Sequence, residues 1–172
     1  KVDRFEEAVK IIAPLVRGET VDFVGEHYSA PNCVMTPAPS RKIPVLIASK
    51  GPRMLSLTAE HADQWNTAWF GSYAGSEERR TEMQKALAAA GRDPESLEVT
   101  VGVLVNFPDL EDIGEMAQNK EKWISGADEE IAAALSEYAA NGVGHIIIQL
   151  SPMTPEAIDR LTGVVAQMRV SA

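Results

Sequence analysis

The chain has 172 residues, enough for one domain with a sizeable core, and its 45% hydrophobic and 24% charged residues exclude disorder and fibrous repeats. Sixteen Lys and Arg against 25 Asp and Glu leave a net charge of −9, which repels a phosphate backbone and argues against nucleic acid as a partner. No apolar run reaches the ~20 residues of a membrane span, and no basic-then-apolar leader opens the chain.

Residues 3–17 read as an amphipathic helix, with Val2, Phe5, Val9, Ile12 and Val16 at helical spacing, Pro14 expected to bend or shorten the last turn and Gly18 to stop it. Residues 21–24 and 27–30 flank Gly25-Glu26 and predict a β-hairpin. The prolines at 31, 37 and 39 predict an extended loop, which holds Cys33, the lone cysteine. A single thiol forms no internal disulfide, and the plain expectation is a reduced cytoplasmic setting.

Pro44 to Ala48 is a continuous apolar run and predicts a strand buried on both faces. A helix from about Pro52 to His61 and a short strand from Asp63 to Thr67 follow. Ser76 predicts the start of a helix with Met83, Leu87 and Ala90 buried, closed by Gly91. Val99, Val101, Val103 and Val105 predict the longest strand, and residues 108–127 a loop or short helix anchored by Met116 and Trp123. The acidic run from Asp109 to Glu115 reads as a solvated face. A helix from Asp128 to Asn141-Gly142, a buried strand from His145 to Leu150, and a helix opened by Thr154-Pro155-Glu156 complete the chain. The last helix is expected to bury Ile158, Leu161, Val165 and Met168. Strands alternating with helices predict a parallel sheet with right-handed crossovers, and no linker divides the chain into two independent domains.

The segment from Ile47 to Arg53 is the most informative for chemistry: a strand ends, a turn of small residues follows, and a helix begins. Ligands of α/β sheets sit at the carboxyl ends of strands, and a helix start suits an anion. Gly51 permits close backbone approach, Ser49 has a hydroxyl to donate, and Lys50 or Arg53 supplies charge for a phosphate. An ordinary βα turn capped by Pro52 is the competing reading. Farther on, Trp65 and Trp69 are flat surfaces for a cofactor or substrate, and Asn66 is a partner for a ring or phosphate. Core packing for Trp65 and a helix–strand corner for Asp63 are the alternatives. His27, His61 and His145 fall in three elements without metal-ligand spacing, and His61 suits the negative end of its helix.

Taken in tandem, Pro44-Val45-Leu46-Ile47-Ala48-Ser49-Lys50-Gly51-Pro52 and Glu60-His61-Ala62-Asp63-Gln64-Trp65-Asn66 resemble the luciferase-like monooxygenase superfamily. There a strand enters a Gly-Gly-Pro-type turn, and the next helix ends in an Ala-Asp-Gly-Trp-Asn-type segment. Arg4 to Ala8, the Gly-Glu-x-Val-x-Phe-x-Gly-x-x-Tyr pattern from Gly18 to Tyr28, and Tyr138 to Val143 fit as well. The resemblance implies the C-terminal half of a TIM-type (β/α)8 barrel with a small β-hairpin insertion, one domain over residues 1–172. It implies FMN or the deazaflavin coenzyme F-420 as cofactor, oxidoreductase or monooxygenase chemistry on a small organic substrate, and no nucleic-acid or membrane partner. Ser49, Lys50, Gly51, Pro52, Arg53, Trp65 and Asn66 are the cofactor-binding candidates, and no metal or catalytic residue is named. Lys50 replaces a common glycine. It keeps phosphate attraction in an ordinary backbone conformation and hinders binding where φ is positive. Gln64, in place of another glycine, touches local turn geometry.

Helix from the first residues, a start without Met and half a barrel's strands together suggest a fragment. The missing half-barrel or a second copy of the chain is then expected to cover its exposed edges. Two other readings stand beside the enzyme: a non-catalytic half-barrel module that dimerises through those edges, and an unrelated α/β enzyme with a different phosphate ligand at the Ser49–Arg53 turn.

Overall fold

A computed structural model describes residues 1–110 and 121–170. In chain order the elements are α1 (Val2–Val16), β1 (Val21–Val24), β2 (Ser29–Cys33), β3 (Leu46–Ala48), α2 (Pro52–His61), β4 (Gln64–Ala68), α3 (Glu77–Ala89), β5 (Glu98–Asn106), β6 (Trp123–Ser125), α4 (Asp128–Ala140), β7 (Val143–Ser151) and α5 (Pro155–Val170). The chain divides into two compact units, one of residues 1–65 and 82–98, the other of residues 66–81 and 99–172. None of the described helices is long and apolar enough to cross a membrane.

In the first unit α1 buries Val9 and Ala13. Ile12, expected on that face, is 53% exposed, because positions 9 and 13 define the stripe and position 12 lies to its side. Pro14 does not shorten the helix, which runs on to Val16. Gly18 ends it at φ +84, a conformation that favours glycine. The hairpin pairs Val24 with Ser29 and Phe23 with Ala30. Its second strand therefore starts later than expected and takes in Pro31 and Cys33, which are not loop residues. The turn lengthens because the Glu7 carboxylate of α1 accepts from the backbone N–H groups of Glu26, His27 and Tyr28, each at 2.9 Å. Three N–H groups around one carboxylate fix the turn, which the Gly25 N–H also closes onto the Tyr28 carbonyl at 2.8 Å.

β3 is shorter than expected and buried on one face: Ile47 is 5% exposed and Leu46 44%. An unbroken apolar run is compatible with two covered faces but does not supply the second cover. β4 belongs to both units, Gln64 and Trp65 to the first and Asn66 to Ala68 to the second.

In the second unit β5 runs parallel to β7 over its length and to β6 at its carboxyl end. Val101, Val103 and Val105 are at most 1% exposed and join Ile131, Leu135, Tyr138, Leu150 and Val164 in the core. Side chains alternate along a strand, so Thr100, Gly102, Leu104 and Asn106 take the opposite face. The three residues of β6, expected as part of a loop or short helix, form a strand around buried Ile124. A strand this short leaves no periodicity to read. Residues 111–116 of the expected acidic face and anchor lie outside the described residues. β7 is half-covered, not buried, with Ile147 44% exposed. On α5 the stripe is Ala157 and Val164, with Leu161 and Met168 packed against the same core. Ile158, one position off it, is 49% exposed. Both units give an α/β architecture of parallel strands and helices, with the β1–β2 hairpin as an antiparallel addition.

Candidate functional site

The carboxyl end of β3 passes through Ser49, Lys50 and Gly51 into α2, all within the first unit. Gly51 adopts φ 83 and ψ 148, a region essentially reserved for glycine. The positive φ falls there and not on Lys50, since Asn32 is the only non-glycine among the described residues with one. Lys50 thus sits on ordinary backbone, is exposed, and does not distort the turn.

Pro52 occupies the first turn of α2, where its missing N–H costs nothing. The first intrahelical bond is Leu55 N–H to the Gly51 carbonyl at 3.0 Å. No side chain caps this end, and its first turn holds no acidic residue. The N–H groups ahead of Leu55 therefore carry the positive end of the helix dipole without a carboxylate of the chain's own.

Ser49 is committed inward. The Thr58 hydroxyl donates to the Met54 carbonyl at 2.8 Å, so its single proton is spent. The 2.7 Å contact between Ser49 Oγ and Thr58 Oγ1 then has Ser49 as donor. Trp65, 1% exposed, donates its indole N–H to the Ser49 carbonyl at 3.2 Å. Ser49 is held from two sides, and its hydroxyl proton does not point to a ligand. Arg53 is likewise engaged, bound to Asp3 at 2.7 Å and Glu6 at 2.8 Å on α1. Its hydrogen bonds to Glu6 and Asp3 raise its pKa. Lys50 is left as the cation of the turn with no ion-pair partner among the described residues.

Ser49 to Arg53 and Trp65 are thus brought together in one unit. Asn66 belongs to the second, where its side-chain amide donates to Thr100 Oγ1 at 2.8 Å. Thr58, Asp3 and Glu6 were not singled out from sequence. For Thr58 a signal existed: it is 0% exposed within the buried stripe of Leu55 and Ala59, and a buried hydroxyl needs partners.

Asp63 takes the corner role. Its carboxylate accepts from Val45 N–H at 2.9 Å and pairs with Lys42 at 2.8 Å. Burial pushes its pKa up, but Lys42 and the Val45 N–H outweigh it and hold the carboxyl below its ordinary value. His61 lies in the last turn of α2, as expected. Burial lowers its pKa against the charged form, and its Nε2 has no hydrogen-bond partner among the described residues. No group of three or more potential metal ligands occurs among the described residues.

The donor set of the turn is backbone N–H plus one ammonium, which suits the phosphate of a cofactor such as FMN or F-420 and no metal ion. Comparison with known proteins converges on that class. The family profile described as luciferase-like monooxygenase matches residues 1–146. The coenzyme F-420-dependent glucose-6-phosphate dehydrogenase of Mycolicibacterium gilvum (strain PYR-GCK) is 23% identical over 179 residues, covering 84% of this chain and 53% of the relative. The chain spans about half the length, or less, of the curated relatives it matches. Among solved structures, an F-420-dependent secondary alcohol dehydrogenase in complex with an F-420–acetone adduct superposes at TM-score 0.72 and 17% identity, over 94% of this chain and 60% of that one. EDTA monooxygenase (EmoA) from Chelativorans sp. BNC1 does so at TM-score 0.69 and 14% identity, over 98% and 59%. At such identities the structural likeness carries the fold alone, the TIM-type barrel of which this chain holds one part. The profile runs from α1 into β7, and the chain belongs to the luciferase-like monooxygenase family.

Proposed function

We propose that the chain supplies the cofactor-phosphate-binding part of a flavin- or deazaflavin-dependent oxidoreductase acting on a small organic molecule. In this reading residues 1–172 belong to one luciferase-like domain, and a reduced cytoplasmic setting suits the lone Cys33. The observation that supports it is the start of α2. The first turns of α3 and α4 contain acidic residues, Glu77 and Glu78 in one and Asp128, Glu129 and Glu130 in the other. The first turn of α2 contains none and has no side-chain cap. Lys50 adds positive charge beside it. A phosphate placed there meets N–H donors and an ammonium. Gly51 shapes the turn, Pro52 starts the helix at no cost, Ser49 and Trp65 hold the strand end, and Arg53 ties α2 to α1. Asn66 orients its own strand through Thr100. When bound, the flavin or deazaflavin ring supplies the redox step, hydride transfer or oxygen activation.

The test is a titration of the chain with FMN, riboflavin and F-420, followed by absorbance. FMN is expected to bind at least about tenfold more tightly than riboflavin, because charge-assisted phosphate bonds add ~1.5–3 kcal/mol. Equal affinity for FMN and riboflavin, together with no F-420 binding, would sink the reading.

A second reading rests on Leu46 and Ile147, each 44% exposed on its strand. In it the chain is an assembly module without catalysis, joined through uncovered strands. Sedimentation separates the two: a dimer that binds none of the three ligands favours the module.

A further inference from the structure

In the second unit Trp69 follows β4 directly and is 42% exposed. Its ring lies against Gly102 of β5. A Cβ on Gly102 would stand 3.1 and 3.4 Å from two indole carbons and 2.9 Å from the Ala68 Cβ. The missing side chain at 102 is therefore the space the indole occupies. Gly102 lies on the face of β5 opposite Val101 and Val103, so the ring is seated on the strand and not in the valine core. The indole is thus backed by the Gly102 backbone and remains 42% exposed. Trp65, 1% exposed, offers no such surface. A large aromatic residue left this exposed at the carboxyl end of a parallel strand, beside a glycine fitted to it, is a built wall.

We infer that Trp69, seated on Gly102, is a stacking wall for the planar conjugated ring of a ligand. The inference rests on the flavin-type reading for the identity of that ring, and it adds the residue that grips it. Indole faces favour offset stacking on flat rings, and such a contact tolerates small differences in ring chemistry. Riboflavin and 5-deazariboflavin are thus expected to bind alike.

The experiment titrates riboflavin, 5-deazariboflavin and FMN into the full chain and into Trp69→Leu, Trp69→Phe and Gly51→Ala variants. Ligand fluorescence reports binding, and far-UV circular dichroism reports folding. Trp69→Leu is expected to weaken riboflavin and 5-deazariboflavin about tenfold, the scale of one aromatic stacking contact. Trp69→Phe, which keeps a ring, is expected to fall between Leu and the native residue and covers the case in which Leu does not fold. Gly51→Ala is expected to weaken FMN and leave riboflavin unchanged. Riboflavin affinity that is the same in folded Trp69→Phe and Trp69→Leu as in the native chain overturns the wall. FMN binding without any riboflavin or 5-deazariboflavin binding overturns the wall and leaves the phosphate turn standing. Ring binding that depends on Trp69, with FMN indifferent to Gly51→Ala, upholds the wall and overturns the phosphate turn. Binding of none of the three overturns both.

Discussion

The starts of α2 and α4 are built alike and end up chemically opposite. Each follows a short strand, a serine and a glycine with positive φ, Gly51 in one and Gly126 in the other. At α4 the Glu130 carboxylate folds back and accepts the Ala127 N–H at 2.8 Å, with Asp128 and Glu129 beside it. At α2 no side chain returns and the first turn holds no acidic residue. The hairpin turn follows α4, since its N–H groups are taken by Glu7. Glu7 loses solvation there, yet the N–H groups of His27, Tyr28 and Glu26 hold its carboxyl below the ordinary value. The chain thus satisfies two of its N–H clusters with its own carboxylates and leaves a third, at the start of α2, without a capping side chain. Strand–turn–helix geometry creates the opportunity, and the side chain three residues later decides who uses it.

The largest break in that contrast is expected from Gly51→Val. Valine at φ 83 and ψ 148 carries ~1–3 kcal/mol of strain, although a Cβ there meets nothing within 4 Å. Denaturant unfolding should register that loss, and the preference for FMN over riboflavin should fall about tenfold. An unchanged preference would remove the turn from the site.

Thr58→Val is next, at about 1–2 kcal/mol. It leaves the Ser49 hydroxyl without its acceptor, and urea unfolding should show a loss that Ser49→Ala in the same background does not deepen. Additive losses would contradict the shared bond.

Glu130→Ala is expected to cost about 1 kcal/mol as a lost cap. It should confer no FMN binding on α4, because Asp128 and Glu129 still repel a phosphate. New phosphate affinity there would mean that the cap alone made the difference. Lys50→Ala should weaken FMN about threefold at low ionic strength and have little effect in high salt, where exposed charges are screened. Salt-independent weakening would assign Lys50 a packing role instead.

The smallest effect concerns the other end of α2. Folded His61 holds its proton less tightly than the unfolded chain. The unfolded state then binds more protons below pH 6.5, so this contribution to stability is complete above that value and declines as pH falls through it. His61→Gln should flatten the stability profile between pH 7.5 and 5.5, and an unaltered slope would show that His61 does not shape it.

Local pattern carried much of this into view before any coordinates. The turn at Ser49 to Gly51, the α4 span from Asp128 and the β5 valines follow from neighbours within a few residues, where periodicity and turn chemistry act. What escaped was non-local. Glu7 meets residues about twenty positions away, and Arg53 meets Asp3 and Glu6 across a still longer separation. Neither pairing leaves a trace in local spacing. Leu46 and Ile158 escaped for another reason, since hydrophobicity marks what a side chain prefers and not whether a neighbour arrives to cover it. The resemblance pointed to the turn, yet the proton count that turns Ser49 inward needed Thr58, nine residues away.

The Glu7 contact also bears on the order in which this region assembles. In the β1–β2 hairpin the Gly25 N–H closes the turn onto the Tyr28 carbonyl at 2.8 Å, while the amide protons of Glu26, His27 and Tyr28 are sheltered by a side chain from α1. An isolated two-stranded hairpin is marginal in water, so its docking and its formation become one event. Those three amides are built-in reporters of that event, exchanging with solvent deuterium at the rate at which α1 lets go.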